Sequence, residues 1–259
     1  MLTILIMILT GLIVGILSAI LGIGGGLIML PAIQIILKFD PATAVATTLL
    51  TVVLTSFSGA IGHYRNGRVK VKQSLLIAIG GIVGVIIGSY IFQAYLTQNT
   101  DYIQLLLAIM FLIMTIRMSK DLYKEFKNPE TKENRAKLSS PIWLVILGIV
   151  VGSLTGMLGL GGGIIIVPVM IWLFGSKPIE AVGTTLLAML PIAIIGAIIK
   201  MGQGFVNLNA GLIIGVGSII GAQIGVKISQ FVNPKLFKVI FIAIFIYLAT
   251  SYLIPIFGF

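Results

Sequence analysis

Residues Gly11 to Tyr90 recur without a gap as Gly148 to Lys227, at a constant offset of 137 and with about 30 of 80 positions identical. A repeat of that length makes the chain two related halves, so whatever plan folds the first must also fold the second. The first copy carries Gly22-Ile23-Gly24-Gly25-Gly26, Pro31, Thr47-Thr48 and Gly67-Arg68-Val69. The second carries Gly159-Leu160-Gly161-Gly162-Gly163, Pro168, Thr184-Thr185 and Gly204-Phe205-Val206. The solvent for this duplication follows from composition: with 58% hydrophobic residues, 9% charged residues and a mean hydropathy of +1.18, the polar surface is too small for a water-soluble globule. Its apolar runs reach the ~20 residues that span a bilayer. The expected fold is therefore all-α, a polytopic integral membrane protein of two homologous halves whose helices are broken by glycine at equivalent places, which is the plan of many transporters.

Apolar stretches fall at 2–21, 26–37, 42–62, 73–95 and 102–117, then at 141–158, 163–174, 179–200, 208–229 and 236–256. This gives five segments per half, the second of each being short for a full crossing. Residues 1–117 form a first membrane repeat, 118–140 a charged cytoplasmic linker, and 141–259 a second repeat. If all ten segments cross, the second half is inverted, and 15 of the 17 Lys and Arg gather on one side with Lys38 and Lys200 opposite. If the short segments are re-entrant, the halves are parallel and the split falls to about 12 to 5. The positive-inside rule favours inverted repeats with both termini outside. The N-terminus lacks a positive leading region and reads as a retained first helix. In the fourth and ninth segments Gly80, Gly84, Gly88 and Gly217, Gly221, Gly225 form small faces that let helix backbones approach in lipid.

The Gly-Xaa-Gly-Gly-Gly runs carry the strongest local signal. Four glycines in five positions end one helix and begin another, with Pro31 and Pro168 limiting the next. A helix start exposed inside the membrane offers backbone donors and partial positive charge to an anion, so Gly22, Gly24, Gly25, Gly26, Gly159, Gly161, Gly162 and Gly163 are candidate binding residues. A tight turn for close packing is the alternative. Thr47, Thr48, Thr184 and Thr185 lie shortly after Pro41 and Pro178. Their hydroxyls either donate to an oxyanion or bond back to the preceding turn. Ser18, its aligned partner Thr155, and Gln223 are weaker candidates of the same kind. Arg65 is placed to attract an anion at a pore mouth or simply to set topology, and His63, beside it, reads as interfacial. Lys200 reads as terminal.

Several classes are excluded. A net charge of +10 is concentrated in loops and fits an anionic membrane surface, not nucleic acid. No Gly-Xaa-Gly-Xaa-Xaa-Gly fingerprint or phosphate loop is present, since Leu27 stands where the third glycine would fall. No Asp or Glu lies mid-span to carry a proton relay, and the coupling ion stays open. With no cysteine and one histidine a transition-metal site is poor, and the Ser, His and Asp of a nucleophilic triad are not gathered anywhere, so an enzyme is disfavoured and no cofactor is expected.

The run from Gly15 to Gly26 with Pro31, the Ala44-Val45-Ala46-Thr47-Thr48 stretch and His63 to Val69, together with their echoes in the second half, resemble the TauE/SafE sulfite exporter family. The resemblance covers nearly the whole chain, and departs from the basic loop pattern at Gly202-Gln203-Gly204. It implies a multi-pass carrier in the cytoplasmic membrane of a bacterium or archaeon, moving small sulfur-containing or organic anions such as sulfite or sulfonates, in a direction and with a substrate that vary among members. The residue reading and the resemblance together point to a secondary transporter working by alternating access, with an anion channel or a non-transporting membrane scaffold as the alternative.

Overall fold

A computed structural model of the chain describes residues 2–96, 100–127, 140–231 and 234–257. All regular structure among them is helical: α1 Leu2–Leu21, α2 Gly26–Leu37, α3 Pro41–Arg65, α4 Val71–Ile91, α5 Thr100–Lys127, α6 Ile142–Leu158, α7 Gly163–Trp172, α8 Pro178–Gly202, α9 Leu208–Ile228 and α10 Pro234–Phe257. A π-helical turn, Phe92–Leu96, extends α4, and a 3-10 turn, Ser229–Phe231, extends α9. Among the described residues, five helices are long and apolar enough to cross a bilayer, namely α1, α3, α8, and α4 and α9 with their extensions. The chain is thus a polytopic, all-helical membrane protein.

Two expectations need correcting. Pro31 and Pro168 do not limit α2 and α7 but lie inside them. A proline removes one donor and displaces one carbonyl, which a short helix tolerates when its ends are held elsewhere. The charged segment after Arg117 does not begin as a linker, because α5 runs on to Lys127; residues 128–139 of the expected linker lie outside the described residues.

Two helix starts, those of α3 and α9, are capped by side chains, whereas those of α4, α6 and α8 are not. Asp40 Oδ1 accepts from the N–H groups of Ala42 and Thr43, with Pro41 in the first turn, and Asn207 Oδ1 accepts from Ala210 N–H. Such caps satisfy donors that a helix cannot satisfy itself.

The halves interlock. α1 lies along α9, with Gly11 and Gly15 against the backbone at Ile214 and Ser218, and Gly217, Gly221 and Gly225 against that at Ile8, Leu12 and Ile16. The same arrangement joins α4 to α6, where Gly80, Gly84 and Gly88 meet Val145, Ile149 and Ser153. A Cβ at any of these glycines would overlap the partner's main chain, so the small faces set the helix separation. Contact numbers rise together in both pairs, so each pair is parallel. α3 and α8, the most buried of the long helices, cross in the opposite sense: Gly59 faces Leu186 while Gly196 faces Leu49. Apart from this core, α5 and α10 pair through Phe111, which stacks on Phe245 and Tyr252 at centroid distances of 6.1 Å.

Candidate functional site

Both glycine runs break their helices by turning left-handed. Gly22, Gly24 and Gly25 have φ of 74°, 72° and 89°, and Gly159, Gly161 and Gly162 have 68°, 74° and 61°. α2 starts at Gly26 and α7 at Gly163, each without a side-chain cap. These starts therefore lack the side-chain acceptors that α3 and α9 possess. In the second run part of the deficit is met internally, by Gly163 N–H to Gly161 O at 2.6 Å and Ile165 N–H to Gly162 O at 3.2 Å.

The two breaks cross each other at the centre. A Cβ on Gly26 would overlap the main chain of Gly159 and Leu160, and one on Gly163 would overlap that of Gly22 and Ile23. Between them, Gly24 lies beside Gly161, with a Cβ there falling 3.4 Å from Gly161 O. The runs pass in opposite directions, the beginning of one against the end of the other. Each also touches the threonine-bearing helix of the other half: Gly22 packs on Val182, one turn before Thr185, and Gly159 on Val45, one turn before Thr48.

Within each threonine pair the hydroxyls have different surroundings. Thr47 Oγ1 accepts from Asn207 N–H and Thr184 Oγ1 from Lys70 N–H, both at 3.0 Å. The two bonds are related by the repeat offset, and each fastens the loop before α9 or α4 to the opposite half. Thr48 Oγ1 and Thr185 Oγ1 are fully buried with no partner. Ser18 is likewise buried and unpartnered, while its counterpart Thr155 bonds back to Val151 O at 2.8 Å. Gln223 is taken up by structure, its Nε2 donating to Ser58 O at 2.7 Å and Ser58 Oγ at 2.9 Å.

At the mouths of the bundle Arg65 is exposed, and Arg68 bridges to the end of α9 through Val226 O, Ser229 Oγ and Gln230 Oε1. Lys70 pairs with Glu180 at 3.0 Å. His63 and Lys200, equivalent by the repeat, are both fully buried at the ends of α3 and α8, His63 between α1 and α8 and Lys200 against Phe92. His63 Nε2 lies 2.9 Å from Ala19 O. Asp40, at the start of α3, has its carboxyl held below the usual range; burial pushes it up, but hydrogen bonds from Thr43 and Ala42 outweigh that. No group of three His, Cys, Asp or Glu that would hold a metal occurs among the described residues.

This duplicated, glycine-broken arrangement coincides with a family match: the sequence profile described as sulfite exporter TauE/SafE covers residues 7–252. The chain belongs to the TauE/SafE family. Among its TauE/SafE relatives, the probable membrane transporter protein YdhB of Bacillus subtilis is 31% identical, over 92% of this chain and 94% of its own. The probable membrane transporter protein MJ0441 of Methanocaldococcus jannaschii is 26% identical over 89% and 88%, respectively. YunE of Bacillus subtilis, also called a probable membrane transporter protein, is 24% identical over 89% and 90%. No solved structure matches the chain.

In this TauE/SafE chain a buried hydroxyl beside the crossing escapes sequence reasoning. Ser56 Oγ is unpartnered, and a Cβ on Gly24 would lie 3.3 Å from it. Its counterpart in the second half is Ala193, so the duplication that flags the threonines gives no signal here.

Proposed function

We propose that the protein is a secondary transporter that carries a small sulfur-containing or organic oxyanion, such as sulfite or a sulfonate, across the cytoplasmic membrane by alternating access. The observation that carries this reading is the crossing of two uncapped, glycine-broken helix starts in the middle of the bundle, with unpartnered buried hydroxyls near them. Backbone N–H groups at a helix start favour negative charge without the cost of a buried cation. The hydroxyls of Ser18, Ser56, Thr48 and Thr185 offer donors that water would otherwise supply. Thr47, Thr184 and Thr155 act behind them, holding loops and helices in place. The antiparallel crossing of α3 and α8 supports a second half inverted across the membrane, which lets the two halves rock about one central site.

Purified protein in proteoliposomes tests this with labelled sulfite, thiosulfate and methanesulfonate. The reading expects saturable uptake of at least one of them, accelerated by the same unlabelled anion on the opposite side. Flux that does not saturate and is indifferent to the opposite side indicates a channel, and no flux of any anion removes the transport reading.

A further inference from the structure

Outside the central crossing, a buried cation lies between the last turns of α4 and α8. Lys200 is fully buried there, its ammonium has no hydrogen-bond partner among the described residues, and its Nζ lies over the ring of Phe92, 2.9 Å from the centroid. The described carboxylates near the helix ends are engaged elsewhere, Glu180 with Lys70 and Asp40 as a cap. Phe92 opens the π-helical turn, a distortion often found at functional sites, and Phe205 closes over it edge-on at 5.8 Å. Gly81 meets Ile192 and Val85 meets Gly196, and the same register carried one step further brings Ser89 level with Lys200, next to Gln203, whose Nε2 donates to Ser89 O at 3.3 Å. Ser89 Oγ is also fully buried and unpartnered.

The equivalent place in the other half is built differently. His63 stands for Lys200, Ser229 for Phe92 and Arg68 for Phe205, and there the Arg68 guanidinium has three oxygen partners. A ring face repays only part of the cost of burying an ammonium. Ionisable groups kept at membrane depth without a partner mark ligand paths, and the missing partner of an ammonium beside a free hydroxyl is an oxyanion.

We propose that Lys200 and Ser89, beneath the Phe92 and Phe205 rings, form an anion-holding site at one end of the transport path. It rests on the transport reading above for its role in flux, and accepts the same oxyanion class. The anion displaces the ammonium from the ring of Phe92 and accepts from Lys200 Nζ and Ser89 Oγ.

The test uses the full chain in nanodiscs of phosphatidylcholine, which removes anionic lipid headgroups as an alternative source of the ligand. Phe92→Trp places a fluorophore under the ammonium, and the unsubstituted chain supplies the background of Trp143 and Trp172. Titration with sulfite or methanesulfonate at constant ionic strength should give a saturable change in emission. Adding Lys200→Met, which keeps the length and packing of the side chain, should weaken that response by roughly 30-fold or more, as loss of one partner of a buried charge pair does. Adding Ser89→Ala, a small change that leaves the fold intact, should weaken it by about 5-fold or more. An unchanged curve in both variants, or no saturable change with Phe92→Trp alone, overturns the site. Trans-stimulated flux without the fluorescence response overturns this site and leaves the carrier standing. A response without flux keeps the site and removes the carrier.

Discussion

Adjacent threonines in each repeat should respond oppositely to the same change. Thr48 Oγ1 and Thr185 Oγ1 are buried and unpaired, so Thr48→Val or Thr185→Val removes a hydroxyl whose unsatisfied burial costs about 1–3 kcal/mol in the empty protein, at nearly constant shape. The empty variants should melt at the parent temperature or above it. Anion affinity should fall by about 1–3 kcal/mol, roughly 5- to 150-fold, because in the site proposed above the lost donor faces the anion. Thr47→Val and Thr184→Val do the reverse. They strand the N–H groups of Asn207 and Lys70, which they now receive at 3.0 Å, and should destabilise by about 1–3 kcal/mol with a smaller effect on affinity. Membrane proteins seldom unfold reversibly, so the order of melting midpoints is the appropriate readout, alongside titration with the anion that the flux assay selects. Because Thr48 and Thr185 lie near one central crossing, the double variant should depart from additivity in binding. Equal loss of stability in Thr47→Val and Thr48→Val, with affinity intact in both, would refute the division of roles.

Two further perturbations follow from local geometry. Gly26→Ala should sharply reduce folded protein, since its Cβ would overlap the main chain at Leu160, whereas Gly202→Ala, in open space at the end of α8, should be neutral or stabilising by up to ~1 kcal/mol; size-exclusion yield and melting midpoint distinguish them. Asp40→Ala should cost about 1 kcal/mol through loss of the α3 cap. Because the folded carboxyl is held below the ordinary aspartate value of 3.8, the parent's share of this stability is present above about pH 4 and lost as pH falls through the lowered folded value, while Asp40→Asn should keep the cap and lose that acid dependence.

The glycine breaks and the helices flanking them were legible in the sequence because their cause is local. Four glycines in five residues cannot continue a helix, and the duplication marks the same place twice. The start and end of α2, Gly26 and Leu37, agree with the apolar run at 26–37. Charge proved a poor guide to helix ends. The Lys- and Glu-bearing residues after Arg117 break the apolar pattern without breaking the helix, and α5 continues to Lys127. The separation of Thr47 from Thr48 was not legible, since neighbours on a helix point about 100° apart and only the interlocked loops decide which hydroxyl is used. Burial of His63 and Lys200 was hidden for the same reason. Each lies at the end of an apolar run, where a single helix would meet water, but here packed neighbours cover it.

The central claim, a carrier built from halves that face opposite sides of the membrane, is tested most directly by labelling from one side. The chain contains no cysteine, so Asn66→Cys, just after α3, and Gly202→Cys, at the end of α8, each introduce a single thiol at exposed positions of the two halves' equivalent corners. In intact cells a membrane-impermeant thiol reagent should label Gly202→Cys and leave Asn66→Cys unmodified until the membrane is opened. Labelling of both from the same side would make the halves parallel and contradict the account.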